Sequence, residues 1–512
     1  MKKIKILSVV LSVFLLLSAI TGCNGKSGGE TSKPETDTPG SSTGGKNAGG
    51  VFFRPGDGGA GDATPIYHDG KYYLFFLHSV SKKWCYSTTT DFVDYSDITV
   101  LRDFGGTGCV LNVDGTWHLF AAKRSGKEEI IHHYTGTDID ALQNTNKSIS
   151  SDGKQFSEQE WRDPFIWYDD SLGEYVMIVA TLAKDKTAVD RNGCVAYLTS
   201  KDLYKWDLKG TFFAPEFYQG VCECPDYFKI GDWYYLVYSD CTFGKRTYYA
   251  KSKDPYGPWE IPDNDTLDSL FFYAARTASD GQDRYAFGWA GDRSGHVLPL
   301  NEDGTMKDPD FATIQYAGNM VVHKLEQKPN GDLTAAPVDS IVNSFTKSVK
   351  NKFTPLTENW EKDGDYAKTS AENGMSAMLM QKLPESFVLT FKLKTDAKQA
   401  GIALNVDSSF SNRGYLFAFD RQFSRLRQIS GALSGIGGYY FPYESEIEKS
   451  ITFDPEKTYE VTVIRSGQVA TIYVDGECAL TTRMTSTNEL ALGLFCYAGT
   501  AEFTEITMKK PE

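Results

Sequence analysis

Trp161-Arg162-Asp163-Pro164-Phe165-Ile166 is a short polar cluster that opens an apolar, aromatic run ending near Ala180. An Asp beside an Arg sets charge at the mouth of a strand. The setting returns about sixty residues later in Cys222-Glu223-Cys224-Pro225-Asp226-Tyr227-Phe228, followed by Trp233-Tyr234-Tyr235-Leu236-Val237-Tyr238. It also occurs about a hundred residues earlier in Gly61-Asp62-Ala63-Thr64-Pro65-Ile66-Tyr67, followed by Lys71-Tyr72-Tyr73-Leu74-Phe75-Phe76. Each stretch puts one carboxylate, Asp62, Asp163 or Glu223, where a strand begins. If these strands are equivalent units of a repeating fold, the three groups converge on one site.

Working outward, the unit does repeat. Between residues 51 and 335 a turn with Asp or Gly precedes an aromatic strand five times: at His68-Asp69-Gly70, Val113-Asp114-Gly115, Tyr168-Asp169-Asp170, Ile230-Gly231-Asp232 and Ser279-Asp280-Gly281. The spacing is roughly fifty residues, long enough for several strands per unit, which marks a β-propeller. A weaker echo links Trp84-Cys85-Tyr86-Ser87-Thr88-Thr89 to Cys194-Val195-Ala196-Tyr197-Leu198-Thr199. The expectation is therefore a five-bladed propeller over 51–335. Over 336–512 the texture changes to period-two alternation, as in Phe387-Val388-Leu389-Thr390-Phe391-Lys392 and Tyr459-Glu460-Val461-Thr462-Val463, with Gly and Asp turns. That pattern predicts a β-sandwich, so the fold class is all-β throughout.

Composition agrees. The chain has 512 residues, 13% of them aromatic, more than one domain requires, and helical periodicity is scarce. A net charge of −14 argues against nucleic acid or an anionic membrane surface as partner and fits a neutral or cationic substrate better. Met1-Lys2-Lys3-Ile4-Lys5 and the apolar run from Ile6 to Ile20 read as a signal peptide over 1–22, and Ile20-Thr21-Gly22-Cys23 resembles a bacterial lipobox that would lipidate Cys23. Residues 23–50, rich in Gly, Ser, Thr and Lys, read as a flexible tether, reaching about 30 Å from the bilayer. Membrane contact is expected only through that anchor, on the extracellular face. The remaining eight cysteines show no metal-type CxxC pair, so buried free thiols are expected and no metal is implied. Oligomeric state is not legible in the sequence.

Carboxylates at the inner ends of radiating strands could flank a scissile glycosidic bond, one as proton donor and one ionised. In that context the chain resembles glycoside hydrolase family 32, the fructan hydrolases and invertase relatives. The resemblance rests on Arg162-Asp163-Pro164, on Glu223-Cys224-Pro225, on Phe272-Tyr273-Ala274-Ala275-Arg276-Thr277 with Phe287-Gly288-Trp289, and on Gly106-Thr107-Gly108. It implies a five-bladed propeller with a C-terminal sandwich and a retaining reaction on β-fructosidic linkages of an oligo- or polysaccharide substrate without a cofactor. It makes Asp62 the nucleophile, Asp163 the transition-state stabiliser and Glu223 the general acid/base, with Arg162 orienting Asp163 and keeping it ionised. Trp84, Thr107, Tyr273 and Trp289 would line the sugar pocket beside Arg162.

There is a departure. The family's nucleophile stretch reads Asn-Asp-Pro-Asn-Gly, whereas Asp62 follows Gly61, and Leu77 stands where many members carry Gln. Asp57, in the same Gly-rich turn, is a rival nucleophile. A fructotransferase on the same scaffold, an inverting arabinan or xylan hydrolase, and a non-catalytic glycan-binding lipoprotein remain open beside the hydrolase.

Overall fold

A computed structural model describes residues 42–185, 192–215, 220–240, 245–294, 314–381, 383–406, 413–432, 447–485 and 491–512. The expected signal peptide and Cys23 lie outside them. Among the described residues no helix is long and apolar enough to cross a membrane.

The first blade is β2 (Ala60–His68), β3 (Lys71–His78), β4 (Trp84–Thr89) and β5 (Thr99–Val100), with β1 (Ser42–Thr43) added at its outer edge. The second holds β6 (Gly108–Val113), β7 (Thr116–Ser125), β8 (Glu128–Gly136) and β9 (Gln143–Ile149), and the third β10 (Phe156–Asp169), β11 (Glu174–Ala183), β12 (Gly193–Ser200) and β13 (Asp207–Phe213). The fourth has β14 (Glu223–Ile230), β15 (Trp233–Asp240) and β16 (Arg246–Ser252). The fifth has β17 (Tyr273–Ser279), β18 (Arg284–Arg293), β19 (Ile314–Gln327) and β20 (Leu333–Ala336). All pairings in the blades are antiparallel and join chain neighbours, except where β1 pairs with β5 and where Ala60 of β2 pairs with Gly318 of β19. The amide of Met320 also donates to the Phe53 carbonyl. The first blade's lead-in thus bonds to the last blade and closes the ring.

Local chemistry explains the hairpins. Asp69 and Gly70 both have positive φ, as do Asp114 and Gly115. An Asp-Gly pair tolerates both left-handed positions, and such turns match the twist of the flanking strands. Each blade's middle strand is buried on both faces, as in the continuous run Val176–Ala180. Aromatics fill the gaps between blades: Phe75, Trp84 and Trp117 between the first and second, Phe120 and Trp161 between the second and third, Phe212 and Tyr238 between the third and fourth.

The C-terminal strands join one bent antiparallel sheet around the long strand Ala491–Lys510, which pairs with Tyr366–Gln381, Ser386–Thr395 and Gln399–Leu404. This assembly meets the propeller through buried polar bonds. Arg483 donates to the carbonyls of Ala290 and Gly291 and to the Asn319 side chain. Asp268 and Ser269 bond to Thr481.

One expectation is corrected. The tether does not extend to residue 50: Ser42 and Thr43 pair with Val100 and Thr99, and the Asn47 carboxamide oxygen accepts from the amides of Gly49 and Arg54. A polar segment can be ordered without a core of its own when a sheet edge supplies its backbone partners. Blade five likewise runs through Ala336, one residue past the expected boundary.

Candidate active site

Four of the five blades share a local irregularity in the first strand. Register slips between Gly61 and Thr64, between Arg162 and Phe165, between Glu223 and Asp226, and between Tyr273 and Arg276. In each, the first extra residue has positive φ: Asp62 at 40°, Asp163 at 57°, Cys224 at 49° and Ala274 at 52°. A bulge of this kind ends regular pairing and re-aims side chains, and Asp tolerates the left-handed region better than most residues. Asp62 and Asp163 therefore occupy one structural position in blades one and three. Glu223 sits one residue earlier in blade four, where the bulge position is Cys224. Its longer side chain comes from the position that is Arg162 in blade three and Tyr273 in blade five.

Asp62 is held by groups from two other blades. The Thr107 hydroxyl donates to Oδ2 at 2.8 Å and the Trp289 indole N–H to Oδ1 at 3.1 Å. Burial pushes its carboxyl above the usual range, the two donors pull it back, and the nearby Glu223 adds to the rise. On Glu223, Arg162 donates to Oε1 at 3.2 Å and the Tyr273 hydroxyl to Oε2. The Tyr273 and Trp289 rings pack edge to face, centroids 5.2 Å apart. A chain of contacts, Asp62 to Trp289 to Tyr273 to Glu223, therefore joins two of the carboxyls. Arg162 joins the third, its Nε lying 3.9 Å from Oδ2 of Asp163. Glu223 keeps 23% of its side-chain surface open to solvent, enough to meet a ligand.

Asp163 departs from expectation. Burial drives its carboxyl up to about 7, opposed by Arg162 and raised further by Glu223. Its Oδ2 accepts the Cys224 amide at 2.9 Å. Arg162 does not hold Asp163 low because its guanidinium is shared. Nη1 donates to Glu129 and Glu160 and Nη2 to Glu223. Burial alone would lower the Arg162 pKa, but Asp163, Glu223, Glu160 and Glu129 together raise it.

Thr107, Arg162, Tyr273 and Trp289 thus stand around the acids. Trp84 does not: it is 1% exposed, packs edge-on against Phe104, and its indole N–H reaches the carbonyls of Gly105 and Gly106. It braces the loop that carries Thr107. Asp57 lies outside the cluster, 75% exposed and bonded to His78. Cys85, Cys109, Cys194, Cys222, Cys224 and Cys496 are buried. Among the described residues no group of three or more His, Cys, Asp or Glu is arranged to hold a metal.

Several supports were not assigned a role from the sequence. Glu129 lies in a Lys-Glu-Glu hairpin that reads as solvated surface, yet its carboxylate also accepts the Trp161 amide. Arg276, fully buried, donates to the carbonyls of Asp163 and Gly108 and ties blades two, three and five together at the hub. Tyr316, on β19, stands beside Asp62 and packs on Trp289 with ring centroids 5.7 Å apart. It belongs to no recognisable motif.

Residues 62–303 match the model of the glycosyl hydrolases family 32 N-terminal domain. A raffinose invertase of Escherichia coli is 26% identical over 208 residues, 34% of this chain and 40% of that protein. Among solved structures, an exo-inulinase from Aspergillus awamori superposes with TM-score 0.67 at 16% identity, over 91% of this chain and 98% of that one. A fructan 1-exohydrolase IIa variant from Cichorium intybus, in complex with 1-kestose, superposes with TM-score 0.64 at 13% identity, over 93% and 98%. At these identities the superpositions speak to a shared fold of propeller and C-terminal β-sandwich.

Proposed function

We propose that the chain, whose residues 62–303 match the family 32 N-terminal domain, is a family 32 glycoside hydrolase and hydrolyses β-fructosidic linkages in sucrose-type oligosaccharides or fructans, with retention, outside the cell. The observation that carries this reading is the gathering of Asp62, Asp163 and Glu223 from β2, β10 and β14 within one continuous set of hydrogen bonds, ring contacts and the Arg162–Asp163 ion pair. Relatives of the same fold include one captured with 1-kestose, a fructosyl oligosaccharide, which supports that substrate class here.

Each group has a role that its surroundings suit. Asp62, aimed by Thr107 and Trp289, attacks the anomeric carbon of the fructosyl unit. The bond to the leaving oxygen breaks as Glu223 passes its proton to that oxygen. Glu223 then takes a proton from water, whose oxygen displaces Asp62 and releases fructose. Asp163 lies deeper, with one backbone donor on Oδ2; sugar hydroxyls that bond to it favour its ionised form. Tyr273 and Trp289, buried beside the acids, hold Glu223 and Asp62 in place. The location follows from the lipobox-like Ile20-Thr21-Gly22-Cys23, with Cys23 as the lipidated residue.

The test is to incubate protein lacking residues 1–41 with sucrose, inulin, levan and arabinan and identify the released sugars. Free fructose supports the reading. Cyclic or elongated fructans with little free fructose would replace hydrolysis by transfer. Arabinose alone, or binding without turnover on every fructan, would sink it.

A further inference from the structure

Gly61 and Tyr316 contend for one volume. A Cβ built on Gly61 would lie 2.6 Å from both Cζ and Oη of Tyr316 and 3.0 Å from Cβ of Ala317. Gly61 is not among the glycines with positive φ, so space rather than backbone conformation demands glycine there. The tyrosine ring cannot easily give way. Trp289 packs against it at 67° between ring planes, and the Lys82 ammonium lies 5.7 Å from its centroid. The hydroxyl is buried and faces the Asp62 carboxyl, whose pKa it lowers, but it falls outside strict hydrogen-bonding geometry.

We propose that Tyr316 is a positioning residue for Asp62, its phenol filling the space that a side chain at residue 61 would take and its hydroxyl serving as a third donor to the carboxylate. The Asn that precedes the nucleophile in the resembling stretch is therefore exchanged for an aromatic donor from blade five. The inference rests on reading Asp62 as the nucleophile. An unsatisfied buried hydroxyl is costly, and a short rotation toward Asp62 relieves it while fixing the plane of the attacking carboxylate. Facing Asp62 are the Glu223 carboxyl and Cys224 thiol from β14, the Thr107 hydroxyl ahead of β6, the Trp289 indole from β18 and the Tyr316 phenol from β19. Burial already raises the Asp62 carboxyl, so loss of one donor raises it further and moves the acidic limb of the pH profile upward.

Two measurements on the full-length protein decide this. With an inulin-type trisaccharide, Tyr316→Phe is expected to lower kcat by about 10-fold with KM changed by less than about 2-fold, and to shift the acidic limb of kcat/KM to higher pH. Unaltered kcat, or a loss with that limb unmoved, overturns the positioning role. The second measurement needs no turnover: Gly61→Asn is expected to lower Tm by about 2–6 °C in the parent and by less than about half as much in a Tyr316→Ala background. Equal shifts in both backgrounds overturn the shared volume. If the parent releases no fructose, the fructosidase reading falls, while the Tm comparison still decides whether the two residues compete.

Discussion

Asp163 and Asp268 are both buried aspartates, 4% and 2% exposed, yet the fold drives their carboxyls in opposite directions. Asp163, at the hub, is raised to about 7. Asp268, at the seam between propeller and C-terminal sheet, is lowered even though burial alone would raise it. Its Oδ1 takes the amides of Ser269 and Thr481, and its Oδ2 faces His323 Nε2 at 2.9 Å and the Thr481 hydroxyl. Tyr473 completes the chain by bonding His323 Nδ1 at 2.8 Å. Two sites with the same side chain and similar burial thus differ in how many donors the protein supplies. A structural acid has its oxygens saturated. Asp163 has one backbone donor, the Cys224 amide on Oδ2.

The contrast can be broken by mutation, and the largest effect belongs to the hub. Asp62→Asn or Glu223→Gln is expected to reduce kcat on the order of 10⁴-fold while Tm moves by no more than about 2 °C, compared by initial rates and thermal melts. At the seam the ranking inverts. Asp268→Ala strips the partner from His323, Ser269 and Thr481 and is expected to cost about 3–5 kcal/mol of stability, read by denaturant unfolding, with kcat of the folded fraction nearly unchanged.

A sharper version uses the isosteric amide and pH. For Asp163 the folded pKa is raised, so between about pH 4 and pH 7 the unfolded chain releases a proton that the folded protein keeps, and stability falls as pH rises through that window. Asp163→Asn removes the penalty and should raise Tm at pH 8 but not at pH 4. For Asp268 the folded pKa is depressed, so its contribution is present above the unfolded value and is lost as pH falls through the folded one. Asp268→Asn should therefore lower Tm at pH 8 and matter less in acid. Tm shifts of the same sign at pH 8 would contradict the comparison. The smallest effect is expected at Asp57, exposed and paired only with His78, where Asn should change kcat by less than about 2-fold.

Legibility in the sequence followed locality. The Asp-Gly hairpins were readable because a two-residue turn is decided by its own residues, and Asp69-Gly70 and Asp114-Gly115 adopt the left-handed pair that the dipeptide favours. The three acids were readable because each stands beside its strand's aromatic run. The donors were not. Trp84 looked like a pocket wall because an aromatic at a strand start is ambiguous, and only packing against Phe104 shows it facing the seam between blades. Tyr316 was missed because its stretch has no turn, charge or repeat to mark it. The offset of Glu223 from Asp62 and Asp163 was equally hidden, since sequence spacing does not reveal which residue of a bulge turns inward.

Period, turn chemistry and acid placement, all short-range properties, were enough to establish an all-β chain of five repeated units with one candidate carboxylate in each of three. What the tertiary structure alone decided is the condition of those carboxylates. Closing the ring brings Thr107, Arg162, Tyr273 and Trp289 from blades two, three and five onto them, and leaves Asp163 with too few donors to stay readily ionised. The reason is electrostatic: in a buried site a group's charge depends on which dipoles and ions lie within a few ångströms, and residues that near in space are here up to 227 positions apart in the chain.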